Sequence, residues 1–245
     1  MAEPWILLDH LALAVRDVRD AVPFLVGALG ARAFEAGPGR GFRWWQWAFE
    51  GGGRIEILEP DGPGDGFLYR FLDARGPGPH HLTFKVSDLR AAAERAGERG
   101  YQVVGYDASQ PGWQEAFLHP KQAQGIVVQL AESHPELRAS LAGEWPFPPA
   151  PAEVPAAARM VGVRLRAHSE SRARLQWEEL LGGACRARGP ELEFRWPESP
   201  LRVVVEVDPV SPEGTRAVEV AADRPLSLPE GPHPLLGVPF VALER

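Results

Sequence analysis

Cysteine is nearly missing from this chain: Cys185 is the one thiol in 245 residues, so no internal disulfide can form. That suits a reducing compartment, and a lone thiol reads as a small packing residue rather than a nucleophile. Lysine is almost as scarce, at Lys85 and Lys121 only, and the net charge of −7 is spread without long runs of either sign. This excludes the basic stripe that a nucleic-acid partner calls for. No apolar run approaches the length of a membrane span, and Met1-Ala2-Glu3-Pro4 is not a basic region followed by an apolar one. Neither export nor membrane anchoring is signalled, and a cytoplasmic location is expected by default. What the chain does have is 44% hydrophobic and 9% aromatic residues, ample for one large domain or two small ones.

The stretch that organises the rest is Pro79-His80-His81-Leu82-Thr83-Phe84-Lys85-Val86. Leu82, Phe84 and Val86 alternate with His81, Thr83 and Lys85, which predicts a strand with two unlike faces and turns His80 away from His81. Asp88 is placed to cap a helix over Leu89 to Arg99, with Gly100 at its end. The pattern occurs twice. Asp9-His10-Leu11-Ala12-Leu13-Ala14-Val15 is followed by Asp17, a helical stretch to Leu29, and Gly30, so His10 lines up with His81. Pro23 inside that stretch predicts a helix that starts late, near Asp20, or kinks. The closing strands agree as well: Arg54 to Glu59 ends the first copy and Ile126 to Ala131 the second, placing Glu56 opposite Gln129. His10 to Glu56 spans 46 positions and His81 to Gln129 spans 48. Each copy thus carries one ligand-type side chain on its first strand and one on its last.

Between these markers, Gly37-Pro38-Gly39 reads as a turn, Phe42 to Phe49 as an aromatic strand, and Gly51-Gly52-Gly53 as the turn into the Glu56 strand. Trp44, Trp45 and Trp47 either pack the sheet or, through Trp45 or Trp47, wall a substrate cavity. Asp61 to Gly78 is a loop with a short apolar turn, Phe67 to Leu72, which is either a lid or packing. The second copy continues with strands at Tyr101 to Val104 and Ala116 to His119. Residues 133–159 are rich in Pro and Ala and read as a linker with at most one short helix. Beyond it the pattern returns in worn form: a strand at Val161 to Leu165, a helix from the Ser169 cap to Leu181, strands at Leu192 to Phe194 and Arg202 to Val207. Gly162 stands where His10 stands. Arg216 to Val220 and Pro239 to Leu243 would be a fourth module without its helix. The expected domains are 1–132, a module pair; 133–159, the linker; and 160–245, a degenerate pair without metal ligands.

At His10, Glu56, His81 and Gln129 the chain resembles the vicinal oxygen chelate superfamily, which includes glyoxalase I, methylmalonyl-CoA epimerase, extradiol dioxygenases and the bleomycin- and fosfomycin-resistance proteins. The resemblance covers roughly residues 5 to 132. Its second module is most similar to the epimerase branch, through His80-His81, Phe117-Leu118-His119-Pro120-Lys121 and Gly125-Ile126-Val127-Val128. The fold implied is α+β: paired βαβββ modules whose sheets form half-barrels, followed by the degenerate C-terminal pair.

His10, Glu56, His81 and Gln129 offer two imidazoles, a carboxylate and an amide oxygen, a set that suits a divalent ion such as Zn, Ni, Co, Mn or Fe. The resemblance implies bidentate chelation of a small-molecule substrate and Lewis-acid support of an enolate. Gln129 departs from the family, which usually has Glu there, and an amide cannot accept the proton. Glu56 or His119 is then the candidate catalytic base, although His119-Pro120 could equally shape the hairpin. Three functions remain open: a metal-dependent isomerase or lyase of epimerase or glyoxalase type, a non-haem iron dioxygenase on His10, His81 and Glu56, and a metal-free binding protein using the Trp-rich cavity. The partners expected are the small molecule and a second copy in a homodimer, with no nucleic acid and no membrane.

Overall fold

A computed structural model describes residues 5–137 and 145–243. The N-terminal tetrapeptide, on which the absence of a targeting segment was partly read, and residues 138–144 of the Pro/Ala-rich stretch lie outside the described residues. Among the described residues no helix is long and apolar enough to cross a membrane.

The first module is β1 (Ile6–Ala14), a helical segment over Pro23–Ala28, then β2 (Arg32–Gly39), β3 (Phe42–Ala48) and β4 (Arg54–Pro60). Helix α1 (Phe67–Arg75) leads into the second module: β5 (Gly78–Val86), α2 (Leu89–Glu98), β6 (Val103–Asp107), β7 (Trp113–Leu118) and β8 (Val127–Ser133). These eight strands form one sheet in the order β2-β3-β4-β1-β5-β8-β7-β6. The two opening strands are therefore neighbours, and each is followed outward by its own module's closing strand. The remaining strands, β9 (Arg159–Ala167), β10 (Ala184–Arg188), β11 (Glu191–Arg195), β12 (Arg202–Val207), β13 (Gly214–Ala221) and β14 (Phe240–Ala242), form a second sheet in the order β10-β11-β12-β9-β13-β14. A short α3 (Glu170–Arg174), prolonged by a wider turn over Leu175–Leu180, follows β9. The fold is the expected α+β arrangement of paired modules.

Local chemistry explains the elements. Asp88 caps α2, its Oδ1 accepting from the Ala91 N–H over 2.8 Å, and Leu89, Ala92 and Ala96 make the buried stripe. Gly100 closes that helix at φ +82°, a backbone region open to glycine. Ser169 caps α3 in the same way, accepting from the Arg172 N–H. Pro23 delays the first helix as expected: it occupies the first turn, where its missing N–H costs nothing.

Three expectations need correction. Gly37-Pro38-Gly39 is not a turn but the end of β2, pairing with Trp44, Arg43 and Phe42; the reversal falls at Arg40-Gly41. Proline is tolerated there because β2 is an edge strand. The apolar stretch from Phe67 is a full helix, whose Leu68 and Leu72 pack on Ala12, Ala14 and Leu58. Lastly, Ala184–Arg188 forms β10, a strand absent from the sequence reading and the location of Cys185.

The chain groups into two compact units, Met1–His10 with His81–Ser140 and Gly162–Arg216, and Leu11–His80 with Leu141–Val161 and Ala217–Arg245. In the first, the Phe84 ring lies 5.0 Å from Trp196 and 6.1 Å from Trp177. In the second, Phe24 meets Phe240 edge to face at 4.7 Å and Trp47 meets Phe147 at 5.2 Å.

Candidate metal centre

Register places the candidate ligands. In the parallel pair β1/β4, Ala12 is opposite Glu56; in β5/β8, Thr83 is opposite Gln129. His10 and His81 each stand two positions before those residues, so strand alternation puts them on the same face as their partner's polar side chain. The sequence repeat is thus an equivalence of backbone position. In β9/β12 the matching positions are Gly162 and Val204, the residue opposite Arg164. A Cβ at Gly162 would overlap the Arg202 carbonyl oxygen, so this backbone cannot carry a histidine there.

His10, Glu56 and His81 come together: each offers a ligand atom, and these atoms all lie within 4.8 Å of one another. The side chains are buried, and the two imidazole rings are 6.1 Å apart at a 65° angle. Gln129 is buried in the adjoining row. His119 is held differently. It follows β7 in a turn, its Nδ1 accepting from the Lys121 N–H over 3.3 Å, the bond expected of a residue that shapes the hairpin.

Around these residues is a layer the sequence reading missed. His10 Nδ1 is 2.7 Å from Asp9 Oδ2, and Lys85 Nζ lies 3.4 Å from the other Asp9 oxygen. A carboxylate on one ring nitrogen fixes the tautomer and leaves Nε2 as the coordinating atom. Thr83 Oγ1 donates to Gln129 Oε1 over 2.6 Å and is 3.0 Å from His10 Nε2. Thr83 has one proton and the amide oxygen takes it. His10, Glu56 and His81 each then offer one ligand atom to a shared position. The donor set therefore fits a divalent ion, with His10, Glu56 and His81 to hold it. Gln46 Nε2 donates to Glu56 Oε2 over 2.8 Å, and Gln129 Nε2 to Glu115 Oε2 over 2.7 Å. Strand parity could have found Thr83, two residues after His81. Gln46 and Glu115 could not be found before the pairing of β3 and β7 was known.

Register also decides between the two readings of the tryptophans. Gln46 faces Glu56 across β3/β4, so Trp44 shares that face and Trp45 and Trp47 point the other way. Trp47 is packing against Phe147. Trp45 does line a cleft of about 460 Å³ with Arg43, Glu59 and Pro146 to Pro149, but on the side away from Glu56. The His80 ring packs on α1, 5.0 Å from Phe71 and 5.8 Å from Phe67. Burial there pushes its pKa down to about 4, against a weaker upward pull from the Glu56 carboxylate.

Comparison with known proteins gives the family and the fold. The sequence pattern of the Glyoxalase/Bleomycin resistance protein/Dioxygenase superfamily matches residues 9–117. The chain is 33% identical over 133 residues to the ethylmalonyl-CoA/methylmalonyl-CoA epimerase of Cereibacter sphaeroides, covering 51% of this chain and 96% of that protein. Its fold resembles the crystal structure of methylmalonyl-CoA epimerase from Mycobacterium tuberculosis, with 29% identity and a TM-score of 0.50 over 56% of this chain and 95% of that one. A variant of 4-hydroxymandelate synthase from Streptomyces coelicolor matches over 90% of this chain and 72% of its own at a TM-score of 0.60 and 14% identity, a likeness of fold alone. By sequence and fold the chain belongs to the glyoxalase/bleomycin resistance/dioxygenase superfamily.

Proposed function

We propose that the protein is a divalent-metal-dependent isomerase that moves a proton next to a carbonyl, with a coenzyme A thioester of a 2-substituted malonate as substrate class. The observation that carries this reading is the buried His10, Glu56 and His81 cluster, with ligand atoms within 4.8 Å of one another, in a chain similar to epimerases of such thioesters. His10, His81 and Glu56 would hold the ion; when bound it supplies Lewis-acid stabilisation of an enolate. The protein's own groups do the rest. Asp9, itself paired with Lys85, holds the His10 ring, Thr83 and Gln129 are hydrogen-bonded to each other beside it, and α1 closes the site face of the first module through Leu68 and Leu72. Proton transfer falls to Glu56, since His119 Nδ1 serves its turn and Gln129 has no basic atom. The test is solvent exchange: with Co²⁺ and methylmalonyl-CoA in D₂O, mass spectrometry should show deuterium entering C2 with wild type and not with His81→Ala. Equal exchange with both, or none above metal alone, refutes the reading.

A second reading, a non-haem iron dioxygenase, is favoured by one observation: the clustered ligands are two histidines and a single carboxylate. Oxygen uptake with Fe²⁺ and a catechol, absent for Co²⁺, would select it. Its cytoplasmic setting and a homodimeric assembly are part of the same proposal.

A further inference from the structure

Of the residues in the ligand rows, glutamine alone presents two unlike ends. Its amide offers an acceptor oxygen or a donor NH₂, and which one faces the site decides whether it can serve a cation. Gln129 Nε2 donates to Glu115 Oε2 over 2.7 Å, while Gln129 Oε1 accepts from Thr83 Oγ1 over 2.6 Å. Glu115 Oε2 is the acceptor in both of its hydrogen bonds, so the end facing it is the NH₂ and the oxygen is turned toward Thr83. Thr83 Oγ1 is in turn 3.0 Å from His10 Nε2, so Thr83 alone stands between the amide oxygen and a candidate ligand atom. The carboxylate is itself held, because Trp113 Nε1 donates to the same Glu115 oxygen over 2.9 Å.

Register explains why this residue reaches. Phe117 is opposite Gln129 and Glu115 is opposite Ala131, so Glu115 lies on the Gln129 face, one row along. Ala131 has no side chain beyond Cβ to intervene. The first module contains the same pair in reverse: Gln46 on β3 donates to Glu56 on β4 over 2.8 Å. There an amide supports a carboxylate ligand; in the second module a carboxylate supports an amide.

We propose that Glu115 is a positioning residue that locks the Gln129 amide with its oxygen toward Thr83 and His10, so that a site with a single ligand carboxylate gains a neutral oxygen donor. The inference rests on the metal reading above, and two measurements separate them. In metal-free protein, the side-chain NH₂ resonances of Gln129, assigned by their loss in Gln129→Glu, should shift in both Glu115→Gln and Glu115→Leu. Titration with Co²⁺, read by calorimetry and by the visible absorption of the bound ion, should then show roughly 10- to 100-fold weaker binding in Glu115→Leu, but less than about twofold change when Glu115→Leu is added to Gln129→Leu. Unmoved resonances with normal Co²⁺ binding overturn the lock and leave the metal reading standing. Equal losses in both backgrounds overturn it too, because Glu115 would then act without Gln129. Failure of the wild type to bind Co²⁺ overturns the metal reading and this role together, whatever the resonances do.

Discussion

Gln124 offers a demanding test of how the second and third modules are joined. It is fully buried and is the one non-glycine with positive φ, +56°, among the described residues. Its Oε1 accepts from Trp177 Nε1 over 3.0 Å, and its Nε2 donates to Gln176 Oε1 and the Arg172 carbonyl over 3.1 Å each. Trp177 and Gln176 are fully buried as well. Gln124→Ala keeps the unusual backbone and removes all three bonds, so strain cancels from the comparison. Two buried side-chain groups lose a partner, at about 1–3 kcal/mol apiece, and the Arg172 carbonyl loses one of its acceptor contacts. The expected loss is about 3–5 kcal/mol, much of the total stability of an ordinary domain. Gln124→Glu should be worse, since it turns an acceptor toward Gln176 Oε1 and the Arg172 carbonyl and buries a charge. Urea denaturation followed by tryptophan fluorescence measures both, as a lower midpoint at unchanged slope. A loss below about 1 kcal/mol for Gln124→Ala would refute the reasoning, because it would mean that the orphaned groups find other partners.

Other outcomes follow from the same geometry. His81→Ala should abolish Co²⁺ binding in calorimetry, because one imidazole and one carboxylate are too few strong donors, whereas Gln129→Glu should tighten it by adding a charged oxygen. Asp9→Ala should weaken Co²⁺ binding by about 10- to 100-fold through loss of the His10 tautomer lock, with Asp9→Asn intermediate. Burial pushes the His233 imidazole below its ordinary pKa. The unfolded chain then binds the proton more readily, so stability is full above about pH 6.5 and falls as pH drops through that value toward the folded pKa. His233 Nδ1 also accepts from the Leu235 and Leu236 N–H groups over 3.2 Å each. His233→Asn, which keeps an acceptor and cannot titrate, should flatten thermal stability between pH 7 and pH 5 relative to wild type; an unchanged slope would show that His233 contributes nothing to it.

Much of the fold was legible because the repeat announces itself in local signals. Asp88, Ser169, Gly100 and the alternation of Leu82, Phe84 and Val86 each fix an element without reference to the rest of the chain. Edge strands were the failures. β2 ends in Gly37-Pro38-Gly39 and β10 reads Ala-Cys-Arg-Ala-Arg, and neither has the apolar alternation of a strand with a buried face. Their pairing comes from a neighbour, β3 or β11, which the local pattern does not contain. The site divides in the same way. His10, Glu56, His81 and Gln129 were readable by counting positions between copies. Gln46, Thr83 and Glu115 act across strands, so their roles depend on register, whereas Asp9 acts on its chain neighbour His10.

The choice left open for Trp45 and Trp47, packing or cavity wall, shows what register adds. An aromatic run gives no parity by itself, since every one of Trp44, Trp45 and Trp47 is a plausible wall. Once Gln46 is paired with Glu56, parity is settled for the entire strand, and a slip of one residue would exchange the two faces completely. The same logic separates the copies. The third keeps a first strand and a parallel closing strand, but its opening position is Gly162, where the backbone lies against the Arg202 carbonyl, and its closing position is Val204. Restoring ligands there would take more than two substitutions, because a side chain at 162 must first move β12. A copy of this module can therefore lose its donor positions through backbone packing as well as side-chain exchange.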